Sequence, residues 1–134
     1  MDRMISTAIN GERHELNYSI EVMFNMADKF GNIQAALEII EKDGWEGFEA
    51  VRWFAVQMAN DAELCRREAG YEPRSMLTED TITPRIKPLD YEILKGDVVN
   101  AIALGYQRDL PEAQDEEVDL GLAELQAKKV QAGE

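Results

Sequence analysis

The chain has 134 residues, 45% of them apolar, a formal net charge of −13 and a pI near 4.4. That much apolar sequence suits one cored domain plus a tail and excludes a wholly disordered acidic chain. The acidic balance, with no basic stripe, argues against nucleic acid and anionic membranes as partners.

The first predicted element is a hairpin. Met4-Ile5-Ser6-Thr7-Ala8-Ile9 alternates apolar and polar residues, meets Asn10-Gly11, and continues as Glu12-Arg13-His14-Glu15-Leu16. Asn-Gly between such runs favours a two-residue turn, because both residues tolerate positive φ. One hairpin is marginal in water and must lie on a larger body.

Four helices follow. Asn17 or Ser19 can cap the first, whose stripe reads Ile20, Met23, Phe24 and Ala27, and Gly31 ends it. Asn32 can cap the second, with Ile33, Ala36, Leu37 and Ile40 as its stripe and Gly44 as its close. The third runs from near Glu46 to about Ala69, with Gly70 as its stop. Phe48, Val51, Ala55, Met58, Ala62 and Cys65 form its stripe, widened by Trp53 and Phe54, and its small residues from Ala55 onward admit a close neighbour. Its polar end, 61–68, reads as a solvated face of opposite charges.

From Tyr71 to Pro88, three prolines forbid a continuous helix, and Thr78 with Glu79 and Asp80 suits one short turn. Pro88 opens a fourth helix to about Tyr106, with Leu94, Val98, Ala101 and Ile102 inward. Gly96 and Gly105 weaken it, by roughly 1 kcal/mol each relative to alanine. Residues 107–134 hold three basic and eight acidic residues, with Pro111 among them, and read as a flexible acidic tail. The expected fold class is therefore mainly α: a hairpin-plus-helical domain over 1–106 and a tail over 107–134.

Catalytic and metal chemistry is not legible. His14 is the only histidine and reads as a surface strand residue, with no nucleophile fixed beside it. Cys65 is the only cysteine. It forbids an internal disulfide, points to a reducing compartment, and on the third helix's stripe reads as a structural thiol. Asp115-Glu116-Glu117 with Asp119 lacks the glycine and ligand alternation of a calcium loop and reads as a solvated linker. No cofactor motif is present, so no enzyme is expected. No secretion signal follows Met1-Asp2-Arg3, and no run approaches the ~20 apolar residues of a membrane span. Trp45, Phe48, Trp53 and Phe54 form an aromatic group that reads first as core. Its second reading, with the flexible Met23, Met26 and Met58, is a partner groove.

The order of elements carries a resemblance. An opening hairpin with Ile9-Asn10-Gly11-Glu12 precedes a helix that runs from Tyr18-Ser19-Ile20-Glu21 to Asp28-Lys29-Phe30-Gly31. Further helices, a Leu77-Thr78-Glu79-Asp80 turn, another helix and an acidic tail follow. Over roughly residues 4–106 this resembles the tail assembly chaperones of long-tailed (siphovirus-like) bacteriophages and prophages. The chain departs from that pattern in its long third helix and its proline-rich 71–88 segment. The resemblance implies a non-enzymatic protein of the host cytoplasm, absent from the mature virion. It would bind the long, helical tape measure protein and assist assembly of the tail tube protein around it. It also implies a ribosomal slip that appends a further domain, for which the codons of Ala127-Lys128-Lys129 are the suited place. Two other classes stand beside it: a small acidic regulatory protein that inhibits a host enzyme, and a structural component of the virion tail.

Overall fold

The computed structural model describes residues 4–107. Strands β1 (Ile5–Ile9) and β2 (Glu12–Leu16) are followed by α1 (Ile20–Phe30), α2 (Ile33–Ile40) and α3 (Trp45–Glu68). A 3-10 turn (Glu79–Thr81) then leads to α4 (Pro88–Gly105). The protein is mainly helical with one N-terminal hairpin, as the periodicities require. The proposed tail lies outside the described residues, apart from Gln107.

The strands pair antiparallel, with Ile5 opposite Leu16, Thr7 opposite His14 and Ile9 opposite Glu12. Asn10 and Gly11 both have positive φ, 54° and 82°. This is the backbone that an Asn-Gly turn supplies and that matches strand twist. Ile9 and Leu16 enter the core, and the Asn17 amide donates to the Met58 carbonyl of α3. The hairpin thus gains the helical support it lacks alone.

Caps fix where the helices begin. Ser19 Oγ accepts from the Val22 amide, and Asn32 Oδ1 accepts from the Ala35 amide at 2.8 Å. Of the two residues suited to cap α1, Ser19 does so. Asn17 instead donates to Asp61 Oδ2 of α3 at 2.7 Å, while Ser19 Oγ donates to Asp61 Oδ1 at 2.8 Å. Asp61 therefore anchors the start of α1 to the middle of the long helix. Pro88 occupies the first turn of α4, where its missing N–H costs nothing.

Helix α3 is central. It packs against β2, α1, α2 and α4 and is buried on most of its circumference: Ala50, Val51, Phe54, Ala55, Met58, Ala59 and Ala62 all lie in the interior. Along its small-residue stretch a neighbour does come close, for β2 packs on α3 and the Asn17 amide just after it donates to the Met58 carbonyl at 3.1 Å. The stripe of α4 (Leu94, Val98, Ala101, Ile102) is buried as its periodicity predicts.

Two expectations fail. The buried residues of α1 are Val22 and Met26, not the Ile20–Phe24–Ala27 row, which faces outward. The two rows lie on different sides of one helix, and both are apolar, so periodicity alone does not choose between them. The polar end of α3 is also not simply solvated, because Glu63 is buried.

Candidate partner-binding surface

Helix α1 presents an apolar row to the outside. Ile20 is 65% exposed and Phe24 58% exposed, one turn apart, with Ala27 exposed on the same side and Met23 half-buried at its edge. Residues at i, i+4 and i+7 stack on one helical face, so these side chains form a continuous strip. Large apolar side chains scattered singly over a surface are ordinary; adjacent ones on one helix make it a candidate docking face. At the start of α1, Tyr18 and Tyr106 sit with ring centroids 5.3 Å apart and hydroxyls 3.0 Å apart. Burial, with the Tyr106 hydroxyl adding, pushes the Tyr18 phenol far above its ordinary value. The last turn of α4 is thereby held beside the first turn of α1.

The aromatic group divides into two clusters. In the first, Trp53 stands edge-on to Phe54 at 5.0 Å and to Phe30 at 5.4 Å, with Lys29 Nζ over both Phe30 and Trp53. Ring edges on ring faces and a cation over a ring are the favoured arrangements of aromatic quadrupoles. Phe30, Trp53 and Ile39 line a shallow groove of about 400 Å³ that runs from the end of α1 to α3, rimmed by Lys29, Arg52 and Glu49. In the second cluster, Trp45 meets Phe48 edge-on at 5.9 Å and Phe48 meets Tyr91 of α4 at 5.7 Å. Trp45 is 67% exposed.

The seven residues singled out from the sequence therefore separate. Phe54, Met26 and Met58 are core residues without surface to offer a partner. Phe48, Trp53 and Met23 are half-buried and Trp45 is exposed. Sequence reasoning missed Ile20 and Phe24 as surface residues because it assigned them to the core. The signal that could have found them is Val22 and Met26, a second apolar row on the same helix.

A polar knot closes the opposite end of α3. The Glu63 carboxylate accepts from Arg66 at 2.8 Å, from Arg67 at 3.0 Å and from the Arg74 amide at 2.7 Å. Arg66 and Arg67 also donate to the carbonyls of Glu72 and Arg74. Asn60 exchanges hydrogen bonds with Leu77, donating to its carbonyl and accepting from its amide. The extended strap 71–77 is thus stitched to α3 through side chains, with no helix or strand of its own. These donors, the Arg74 amide foremost, hold the Glu63 carboxyl down at about 2, with desolvation opposing them. Its ligands are all intramolecular, so the buried charge belongs to the fold.

His14 Nε2 lies 3.8 Å from Glu12 Oε1, and Cys65 Sγ is 3.6 Å from Asn17 Nδ2. Among the described residues, no group of three or more His, Cys, Asp or Glu is arranged to hold a metal, and no helix is long and apolar enough to cross a membrane. The comparisons with known proteins add no relative: no family model, curated protein or solved structure matches the chain.

Proposed function

We propose that this chain is a non-enzymatic tail assembly chaperone of a long-tailed phage or prophage. On this reading it holds an amphipathic helical segment of the tape measure protein against the outer face of α1 while tail tube protein assembles. The observation that carries the reading is the Ile20–Phe24–Ala27 strip, solvent-facing on a helix whose other side is already committed to the core. An apolar helix face pairs with the apolar face of another helix through anchors one turn apart. The surrounding −13 charge keeps such a complex dispersed. The Phe30–Trp53 groove offers a second apolar surface at the end of α1, and the element order that resembles the chaperone family supplies the identity of the partner. The protein then acts in the host cytoplasm and is left out of the finished virion.

Co-expression with tape measure fragments tests it. At least one fragment should gain solubility and co-purify. Phe24→Asp should abolish this while leaving the melting temperature nearly unchanged, because the residue is a surface one. Loss of a central anchor typically costs about 2 kcal/mol or more of binding, whereas exposed substitutions shift stability by roughly 0.5 kcal/mol or less. If no fragment is retained by the wild-type protein, the chaperone reading fails.

A further inference from the structure

A second apolar groove lies away from α1. The hairpin tip is fastened to the 3-10 turn by Asn10 Nδ2, which donates to the Thr81 carbonyl at 2.7 Å. Between this tip, the 82–87 loop and the first turns of α4 lies a cleft of about 420 Å³. Ile9, Ile86 and Ile93 wall it, and Ile93 is 52% exposed. Arg85 and Lys87 stand on its rim, with Asp90 the one carboxylate in its lining. Neither cation is engaged in an ion pair among the described residues, although carboxylates outnumber cations about two to one in this protein. An apolar cleft with a basic rim selects an acidic segment with apolar side chains.

We propose that the groove binds the chain's own segment Asp115-Glu116-Glu117-Val118-Asp119-Leu120-Gly121-Leu122. That segment lies outside the described residues, and two facts favour it. The first is composition: three consecutive carboxylates precede Val118, Leu120 and Leu122, which matches a rim of Arg85 and Lys87 beside isoleucine walls. The second is reach. The described chain ends at Gln107, at the far end of α4 from the groove. The 18 residues of α4 span about 27 Å at 1.5 Å per residue. An extended chain covers that distance in about eight residues, so the chain from Gln107 to Asp115 is long enough to reach Lys87. A tethered segment of matching length also binds at high effective concentration without large affinity. The proposal is independent of the tape measure reading, since the strip on α1 takes no part in it.

Zero-length carbodiimide coupling of the full-length protein, mapped by mass spectrometry, tests it. Lys87 should couple to the 115–119 carboxylates about tenfold more often than Lys29, Lys42 or Lys95 does, as tethered proximity to one site requires. Leu120→Asp with Leu122→Asp should remove the excess without changing the melting temperature. Equal coupling at all four lysines overturns the proposal, as does coupling that survives the double substitution. Mixing isotope-labelled and unlabelled protein separates the remaining outcome: mixed-isotope links would place the segment of a second copy in the groove and overturn intramolecular docking.

Discussion

Phe54, Thr7 and Glu63 show three different ways in which a residue is tied to this fold. Phe54 is fully enclosed between Phe30 and Trp53. Phe54→Ala should cost about 3–5 kcal/mol, read from denaturant unfolding. Thr7 is buried on the inner face of β1, and its hydroxyl meets no hydrogen-bond partner among the described residues. A buried hydroxyl without a partner carries its desolvation cost unrepaid, so Thr7→Val should raise stability by about 1 kcal/mol in the same assay. Glu63 titrates lower in the folded chain than in the unfolded one, at about 2 against an ordinary 4.5. A depressed carboxyl contributes stability that is complete above the unfolded value and is lost as pH falls toward the folded one. The stability advantage of the wild type over Glu63→Gln should therefore be full at neutral pH, shrink from about pH 4.5 and vanish near pH 2, as followed by thermal melts across that range.

Among the elements, α4 and the α2–α3 junction give opposite expectations for one substitution. Gly96 lies in the interior of α4, and a Cβ there would meet only open space. Gly96→Ala should stabilise by about 0.5–1 kcal/mol through helix propensity and the reduced freedom of the unfolded chain. Gly47 is buried in the first turn of α3, where a Cβ would collide with the Lys42 carbonyl of the preceding turn. That obstacle is backbone, so Gly47→Ala should destabilise strongly and separate α2 from α3. Melting temperatures of the two variants, measured side by side, check both signs. Gly96 was legible in the sequence as a weak point of its helix. The need for glycine at position 47 was not, because it arises from how the turn after α2 folds its Lys42 carbonyl against the start of α3.

For the whole molecule, the hairpin and helices share one core. Ile9 and Leu16 are buried together with Phe54, Val98 and Ile102. Unfolding should accordingly be a single transition, with hairpin and helix probes coincident; separate melting of the hairpin would refute this. The chaperone proposal carries a genetic counterpart: the codons of Ala127-Lys128-Lys129 should form a seven-base slippery run followed by an overlapping open frame, which the nucleotide sequence decides. Those residues lie outside the described ones, as does the expected mobility of the 107–134 tail.

Local signals in the sequence determined the elements. Asn10-Gly11 set the hairpin turn, Ser19 and Asn32 set helix starts, Gly31 and Gly70 set stops, and Pro88 opened α4, because each acts through the backbone of its immediate neighbours. Tertiary structure decided which apolar residues are inside. On α1 two apolar rows compete, and the core takes Val22 and Met26 because Asp61 and the Tyr18–Tyr106 pair fix how the helix enters. Ile20 and Phe24 are left outside as the surface on which the proposed function rests. Likewise the aromatic group was visible as a composition, but only packing divided it into a buried ring, Phe54, and accessible ones, Trp45 and Trp53. Burial depends on contacts between residues far apart in the chain, such as Tyr18 with Tyr106, and a periodicity read along one helix holds no information about them.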